Sequence, residues 1–314
     1  MKLVRILLIS VVGVAGLYFL LSYMVKLEKT NSRVISPLTD SIVTTPTVIP
    51  PAEDGSRANS ERLKDVVDGA LEGATGSYGI YIKNFKTGES YVSGEHNVFN
   101  PASLYKLWVM AAVYQKIQDG QLAEDQVLRE DVSVLNQKFD IDPELAEKTE
   151  GVITFSVREA LQQMITISDN YAALLLTEKI GLSSVAAFLK ENDLTGSAVG
   201  TTGGFPVSTP YDIARFFEKL YRGDVANPKY TAEMITLLKN QKLNNGIPKY
   251  LPDASRVANK TGEIDRFKHD AGIIYTDSGD YSIVVMSESS YPPGAQERIA
   301  RVSKAVFDYF THKQ

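Results

Sequence analysis

The sequence predicts a mixed α+β fold in which one antiparallel sheet, built from both ends of the folded region, is flanked by helices. Three observations support this. Short β-rich runs occur at 77–92 and again at 257–286. The region from 103 to about 245 instead has the apolar spacing of helices. The β-rich runs are separated by short turn-forming segments, which favours antiparallel pairing.

The first elements are a helix and a hairpin. Ser60 is a candidate helix N-cap, and the apolar residues that follow recur at helical spacing: Leu63, Val66, Val67, Ala70 and Leu71. Apolar residues then alternate over 77–83, and Tyr91-Val92 follows. Between these two runs lies Lys86-Thr87-Gly88, which we assign to the hairpin turn, where glycine is expected.

Helices are predicted through the middle of the chain and strands near its end. The helical segments, marked by apolar spacing or by a capping residue, are 107–117, 155–167, 172–180 and 211–221. The later β-rich runs are 257–264, 270–275 and 281–286, and a last helix is predicted over 296–310. The middle region is therefore expected to be an all-helical insert between two halves of one sheet.

The first 59 residues predict a membrane anchor and a tether. Residues 6–25 carry no charge and are about long enough to span a bilayer as a helix. The segment lacks the small-residue cleavage site of a secretory signal peptide, so we expect an uncleaved signal-anchor over residues 1–26. Residues 27–59 are rich in proline and threonine and predict an extended linker.

The composition excludes several kinds of protein. Hydrophobic residues make up 44% and charged residues 23% of the 314, as in an ordinary globular protein. The net charge of −5 argues against nucleic acid as a partner. With no cysteine and three scattered histidines, the chain can form no disulfide, and no Cys/His metal cluster is expected. Nothing in the sequence predicts a metal or an organic cofactor.

Three short motifs carry the chemical prediction. Ser103 and Lys106 lie three residues apart after Asn100-Pro101-Ala102, which predicts the start of a helix. Residues at this spacing share one helical face, so the lysine amine can act as the base that a serine nucleophile needs. Ser168-Asp169-Asn170 and Lys260-Thr261-Gly262 follow in order, at domain-scale spacing. Three motifs in this order are hard to attribute to chance.

This trio resembles the signature of class A serine β-lactamases and of the wider family of penicillin-recognising serine hydrolases. The resemblance runs from about residue 60 to the end, and includes Ser208-Thr209-Pro210 and His269-Asp270-Ala271-Gly272. It implies a β-lactamase-like fold: about five antiparallel strands flanked by helices, an all-α subdomain, and an active site in the cleft between them. In the catalytic domain, residues 60–314, the sheet subdomain would then comprise 60–102 and 247–314, and the all-α subdomain 103–246.

The resemblance also implies catalytic roles. Ser103 would attack the substrate carbonyl and form an acyl-enzyme, with Lys106 as its base. Burial and the charge of Lys260 would both lower the pKa of Lys106. Ser168 would relay a proton to the leaving nitrogen. The backbone N–H groups of Ser103 and Glu263 would stabilise the oxyanion.

Further residues are expected to bind substrate. By the same resemblance, Asn170 would orient a substrate amide, and Lys260 and Thr261 would bind a substrate carboxylate. Gly262 would let its strand approach the ligand closely. Asp169 is expected to cap or brace its own loop, and His269 to serve in strand packing or a hydrogen bond, not in the chemistry.

The chain departs from the class A pattern at the step that releases the acyl group. Class A enzymes activate the deacylating water with a glutamate in a loop after Ser-Asp-Asn, and an asparagine follows four residues later. No glutamate of this chain has an asparagine four positions on, and residues 194–207 contain no carboxylate. The sequence therefore predicts acylation and leaves the base for deacylation open.

Three functions remain. The favoured one is a β-lactamase-type hydrolase, acting in β-lactam catabolism and antibiotic response, whose water is activated differently, for example by Lys106. The second is a D,D-peptidase, or penicillin-binding protein, that acts on peptidoglycan stems. The third is a β-lactam-binding sensor domain that deacylates slowly. For each we expect a monomeric catalytic domain, held by the membrane span at 6–25 outside the cytoplasm, at the cell surface or in the periplasm.

Overall fold

A computed structural model describes residues 61–200 and 205–312, apart from the side chain of Ser255. The expected signal-anchor, the linker and the N-cap at Ser60 lie outside these residues. Within the described ranges, no single helix is both long and apolar enough to cross a bilayer. One bent pair, Asn170–Ile180 with Leu182–Glu191, meets those criteria only when its two members are taken together.

The strands form one large sheet and one small one. In chain order the strands are β1 (Ser77–Asn84), β2 (Ser90–Ser93), β3 (Val127–Asp131), β4 (Val152–Ser156), β5 (Val257–Ile264), β6 (Phe267–Ile274) and β7 (Tyr281–Glu288). Five of them make an antiparallel sheet in the order β2–β1–β7–β6–β5. The predicted five-stranded antiparallel sheet is therefore confirmed. Its strands come from both ends of the described region, as expected.

Helices cover this sheet. In chain order they are α1 (Glu61–Leu71), α2 (Lys106–Gln118), α3 (Val132–Lys138), α4 (Val157–Thr166), α5 (Asn170–Ile180), α6 (Leu182–Glu191), α7 (Pro210–Arg222), α8 (Pro228–Lys239) and α9 (Pro292–Thr311). Local capping explains several of their boundaries. Ser156 and Glu159 form a capping box at the start of α4, and the Thr209 side chain accepts from the backbone N–H of Asp212 at the start of α7.

Alternate residues of the large sheet face two different cores. On β1, Ile80 and Ile82 pack with α1 and α9, whereas Tyr81 between them packs with the helices of the middle region. On β7, Val285 and Val284 divide in the same way. Successive strand residues point to opposite faces. Because both faces are covered, the central strands are apolar on both sides.

The middle region is not wholly helical, which corrects the prediction of an all-α insert. Strands β3 and β4 pair antiparallel from Val127↔Ser156 to Asp131↔Val152. Each strand has one buried residue, Leu128 in β3 and Ile153 in β4. With so little apolar surface, neither strand has the alternation that identifies a strand in sequence.

Packing of three elements brings the sequence motifs together. The edge strand β5 contacts the short 3-10 helix Ala102–Tyr105, which precedes α2. Helix α2 in turn contacts α5, whose first residue is Asn170. The three motifs thus meet where the sheet edge, the start of α2 and the start of α5 adjoin.

Candidate active site

Ser103 lies in the 3-10 helix Ala102–Tyr105, which runs directly into α2 at Lys106. Asn100 helps to form this turn, because its side-chain oxygen accepts a hydrogen bond of 2.9 Å from the backbone N–H of Ala102. Ala102 has a left-handed backbone conformation, with φ of 46°. Non-glycine residues keep such a conformation only where the surrounding structure holds them. The position of Ser103, which is 4% exposed, is therefore determined by its neighbours.

The amine of Lys106 is fully buried and donates hydrogen bonds to three oxygens. These are the Ser168 carbonyl at 2.6 Å, the Ser168 hydroxyl at 3.1 Å and the Asn170 side-chain carbonyl at 2.7 Å. Burial, and then the charge of Lys260, lower the pKa of Lys106 well below its usual value. A lysine whose pKa is lowered in this way can accept a proton near neutral pH.

The predicted pairing of Lys106 with the nucleophile is not formed as a hydrogen bond. Among the described residues, the Ser103 hydroxyl donates no hydrogen bond to Lys106, and the amine is turned to the Ser-Asp-Asn segment instead. The three-residue spacing brings the two side chains onto neighbouring positions. This spacing does not determine which oxygens accept hydrogen bonds from the Lys106 amine, because those oxygens belong to a distant part of the chain.

The Ser168 hydroxyl lies between two lysine amines. It accepts from Lys106 at 3.1 Å and from Lys260 at 2.9 Å. A hydroxyl has one proton and two acceptor lone pairs, so two donating amines leave the proton of Ser168 available for a third group. Ser168 also has a left-handed backbone, with φ of 61°. Such conformations cluster at functional sites, and here they occur at both Ala102 and Ser168.

Lys260 is fully buried on the edge strand β5. Its amine donates to the Ser168 hydroxyl and, at 2.9 Å, to the Thr261 carbonyl. Burial lowers the pKa of Lys260 from 10.5 to about 7, and the negative charge of Asp270 acts in the opposite direction. An anion that bound beside this amine would favour its charged form.

The Asn170 side chain is held at both ends. Its carbonyl oxygen accepts from Lys106 at 2.7 Å, and its amide nitrogen donates to the Glu147 carboxylate at 2.7 Å. Asp169 caps α5, because its side chain accepts a 2.7 Å hydrogen bond from the Ala172 backbone. The capping role expected for Asp169 is therefore confirmed.

Gly262 allows β5 to approach the segment that carries the nucleophile. A Cβ atom at this position would lie 2.7 Å from the Pro101 carbonyl oxygen, which is closer than packed atoms can come. The close approach that the sequence predicted toward a ligand is thus, in this structure, an approach to the backbone beside Ser103. The residues on either side of Gly262 also make polar contacts. The Thr261 carbonyl accepts from the Lys260 amine, and the Glu263 carboxylate forms an ion pair with Lys268.

His269 joins β6 to β7 and to the turn before Ser103. Its Nε2 lies 2.7 Å from the Asn100 carbonyl oxygen, and its Nδ1 accepts from the Ser287 backbone N–H at 3.1 Å. Nε2 therefore carries the proton and donates to Asn100. Burial lowers the pKa of His269 from 6.5 to about 4. The prediction that His269 takes part in strand packing or a hydrogen bond is confirmed, with its hydrogen-bond partners in β7 and in the turn before Ser103.

The structure brings Lys106, Ser168, Asn170 and Lys260 into one hydrogen-bonded group beside the turn that carries Ser103. The catalytic and substrate-binding roles assigned to these residues, and to Thr261, Gly262 and Glu263, stay predictions. Sequence reasoning missed Glu147, which reaches Asn170 from a loop before α5. Over residues 61–200 and 205–312, no group of three His, Cys, Asp or Glu side chains could hold a metal ion.

Together, an antiparallel sheet covered by helices and a site that joins the Ser168 hydroxyl to two buried lysines, beside Ser103, define a serine hydrolase of the β-lactamase fold. Residues 59–310 match the model of the Beta-lactamase enzyme family, and the chain belongs to that family.

Individual relatives are distant. The chain is 31% identical to the β-lactamase BRO-1 of Moraxella catarrhalis over 136 residues, which is 39% of this chain and 43% of that protein. It is 24% identical to a β-lactamase of Bacteroides uniformis over 269 residues, covering 78% of this chain and 90% of the relative. A solved β-lactamase from Sphaerobacter thermophilus superposes with a TM-score of 0.69 at 23% identity, over 80% of this chain and 98% of its own. The last similarity shows the fold.

Proposed function

We propose that the chain is a serine β-lactamase that opens the lactam ring through an acyl-enzyme on Ser103. The observation that carries the proposal is the Ser168 hydroxyl, which accepts from Lys106 and Lys260 together. Through its transferable proton, Ser168 thus connects Lys106, the proposed base for Ser103, with Lys260, which is expected to bind a substrate carboxylate. Membership of the Beta-lactamase enzyme family and the similarity to named β-lactamases support the choice of substrate.

Acylation begins with proton transfer from Ser103 to Lys106. The lowered pKa of Lys106 supplies a neutral amine for this step. The Ser103 oxygen attacks the lactam carbonyl, and the negative charge that develops there is stabilised by the backbone N–H groups of Ser103 and Glu263. Stabilisation of this kind contributes about 10²–10³-fold in rate for each donor.

Ring opening requires a proton on the leaving nitrogen. Ser168 donates its hydroxyl proton to that nitrogen as the C–N bond breaks, and regains a proton from Lys106, which holds the one taken from Ser103. Lys260 and Thr261 bind the substrate carboxylate, while Asn170 orients the substrate amide. These steps return Ser168 to its starting state and leave an ester on Ser103.

The proposal is tested with the full-length chain, purified in mild detergent, and a chromogenic cephalosporin. Absorbance follows ring opening, and intact mass follows the acyl adduct. We expect turnover by the unmodified chain and neither turnover nor adduct for Ser103→Ala. Ser133→Ala is the matched control, because Ser133 is exposed on α3 and lies outside the site. An adduct that persists in Ser103→Ala would identify another nucleophile and contradict the proposal.

A second candidate, a D,D-peptidase or a slowly deacylating sensor, is favoured by one observation. Residues 194–207, which follow the Ser-Asp-Asn helix, contain no carboxylate to activate water. The same experiment separates the candidates. A stoichiometric burst followed by a lasting mass adduct would favour the peptidase or the sensor, whereas continuous turnover favours the β-lactamase.

We also propose that residues 6–25 anchor the chain in a membrane, with the catalytic domain outside the cytoplasm. The uncharged length of this segment supports the proposal. Membrane fractionation, combined with protease treatment of intact cells, tests it. A catalytic domain that stays in the soluble fraction, or one that is protected until the cells are lysed, would contradict it.

A further inference from the structure

Release of the acyl group needs a base that can activate water, and Glu147 is a carboxylate placed to do so. It lies in the loop between α3 and β4, before the Ser-Asp-Asn segment in the chain. Its carboxylate accepts from the Asn170 amide at 2.7 Å. The other end of that amide is 2.7 Å from the Lys106 amine. The Asn170 side chain thus bridges Glu147 and Lys106, the proposed base of the acylation step.

The loop that carries Glu147 is attached to α5. The Lys148 backbone N–H donates to the Tyr171 hydroxyl at 3.1 Å, and this hydroxyl lies 2.7 Å from the Lys148 carbonyl oxygen. The Asn136 side chain donates to the same carbonyl at 2.8 Å. Tyr171 is buried and directly follows Asn170. Glu147 is therefore positioned by contacts on both its side chain and the next residue.

A second observation points to a polar ligand beside Glu147. The Tyr105 hydroxyl is buried and has no hydrogen-bond partner among the described residues. Burial raises the pKa of Tyr105, and the negative charge of Glu147 raises it further, so the phenol lies within electrostatic reach of this carboxylate. Buried hydroxyls are normally satisfied by protein or by water. A water molecule beside the hydroxyl of Tyr105, the second residue after Ser103 in the chain, would satisfy the phenol.

Glu147 also has access to fresh water. The residue is exposed, whereas Asn170 and Lys106 are buried. A carboxylate at the boundary between solvent and site can take a proton from a water molecule that enters and then return that proton to a group in the site. Neither Lys106 nor Lys260 has this combination, because both amines are fully buried.

We propose that Glu147 is the general base of deacylation, an inference that rests on the acyl-enzyme function proposed above. Glu147 takes a proton from water, and the water oxygen bonds to the carbonyl carbon of the Ser103 ester. The tetrahedral intermediate then collapses with cleavage of the bond between that carbon and the Ser103 oxygen. The Ser103 oxygen receives the proton that Glu147 took from the water, because Lys106 is neutral once acylation is complete, and the product leaves as a carboxylic acid. One water is consumed, and the serine hydroxyl is restored.

The test is Glu147→Gln in the full-length chain. Glutamine keeps an oxygen that can accept from Asn170 but is not a base. We expect acylation by a chromogenic cephalosporin at the rate of the unmodified chain, with deacylation slowed about 10²–10⁴-fold, the usual contribution of a general base. The acyl adduct should then accumulate in the intact mass. Glu150→Gln, at an exposed position in the same loop, is the matched control and should deacylate normally.

Chemical rescue separates base catalysis from a structural role. In Glu147→Ala, added formate should accelerate loss of the adduct in proportion to its concentration, and it should have no such effect on Glu150→Ala. A Glu147→Gln variant that turns over like the unmodified chain would overturn the inference. So would an unmodified chain that acylates and never releases its adduct, although acylation by Ser103 would then stand. An unmodified chain that forms no adduct and shows no turnover would overturn the proposed function and this inference with it.

Discussion

Acidification from about pH 7 to about pH 4 should weaken the folded state through His269. The Nε2 of this ring donates to the Asn100 carbonyl, while Nδ1 accepts from the Ser287 backbone N–H. Only the neutral ring satisfies both contacts, because protonation would set an N–H at Nδ1 against the N–H of Ser287. His269 is almost fully buried, and burial is the main cause of its lowered pKa.

The magnitude follows from proton linkage. The unfolded chain binds a proton at His269 near pH 6.5, whereas the folded chain binds one only near pH 4. Between these values the unfolded state holds more protons, so the free energy of unfolding falls as the pH falls. At about 1.4 kcal/mol per pKa unit, the loss over this window amounts to about 3 kcal/mol. The contribution is complete above about pH 6.5 and is lost as the pH approaches 4.

Urea denaturation, followed by circular dichroism over this pH range, measures the effect. Carboxylates titrate in every variant, so the informative quantity is the difference between the unmodified chain and His269→Gln. We expect His269→Gln to lose about 3 kcal/mol less on acidification. His96→Gln, at an exposed histidine, should follow the unmodified chain. Equal losses in His269→Gln and the unmodified chain would refute the reasoning.

Two further substitutions test the site. Lys106→Met keeps the buried stem and removes the amine, so acylation of Ser103 should slow about 10²–10⁴-fold while the folded state is retained; acylation at the normal rate would exclude Lys106 as the base. Gly262→Ala would place a Cβ atom 2.7 Å from the Pro101 carbonyl, and we expect a loss of about 1–3 kcal/mol in urea denaturation together with slower acylation. Gly69→Ala is its control, because a Cβ there meets nothing within 4 Å, and a Gly262→Ala variant as stable as this control would contradict the packing argument.

Local pattern was enough to predict the elements with strong alternation or clear turns. The hairpin of β1 and β2 is an example, since Lys86-Thr87-Gly88 lies at its turn, where Gly88 has φ of 75° and the Asn84 side chain accepts from the backbone of Lys86 and Thr87. The lowered pKa of Lys106 was also predictable, because burial and a second lysine follow from the motifs themselves. Strands β3 and β4 were missed because one buried residue each gives no pattern.

The hydrogen bond between Glu147 and Asn170 could not have been predicted from the sequence. Glu147 lies in a loop with four other nearby carboxylates, at Asp140, Asp142, Glu144 and Glu150, and nothing in the sequence distinguishes it from them. What selects Glu147 is the attachment of the next residue to Tyr171, a contact between distant parts of the chain. The same holds for Gly262, whose close neighbour is a backbone atom remote in sequence.

The pairing of β1 with β7 has a consequence for biosynthesis. The two strands align from Ser77↔Glu288 to Asn84↔Tyr281. Because β1 is synthesised first and β7 last, β1 stays without this partner until synthesis reaches β7. At about 5–20 residues per second, that delay is on the order of ten seconds or more. Until then β1 has an unpaired edge, which can recruit other chains. A nascent chain that stops before β7 should therefore aggregate instead of yielding a smaller soluble protein.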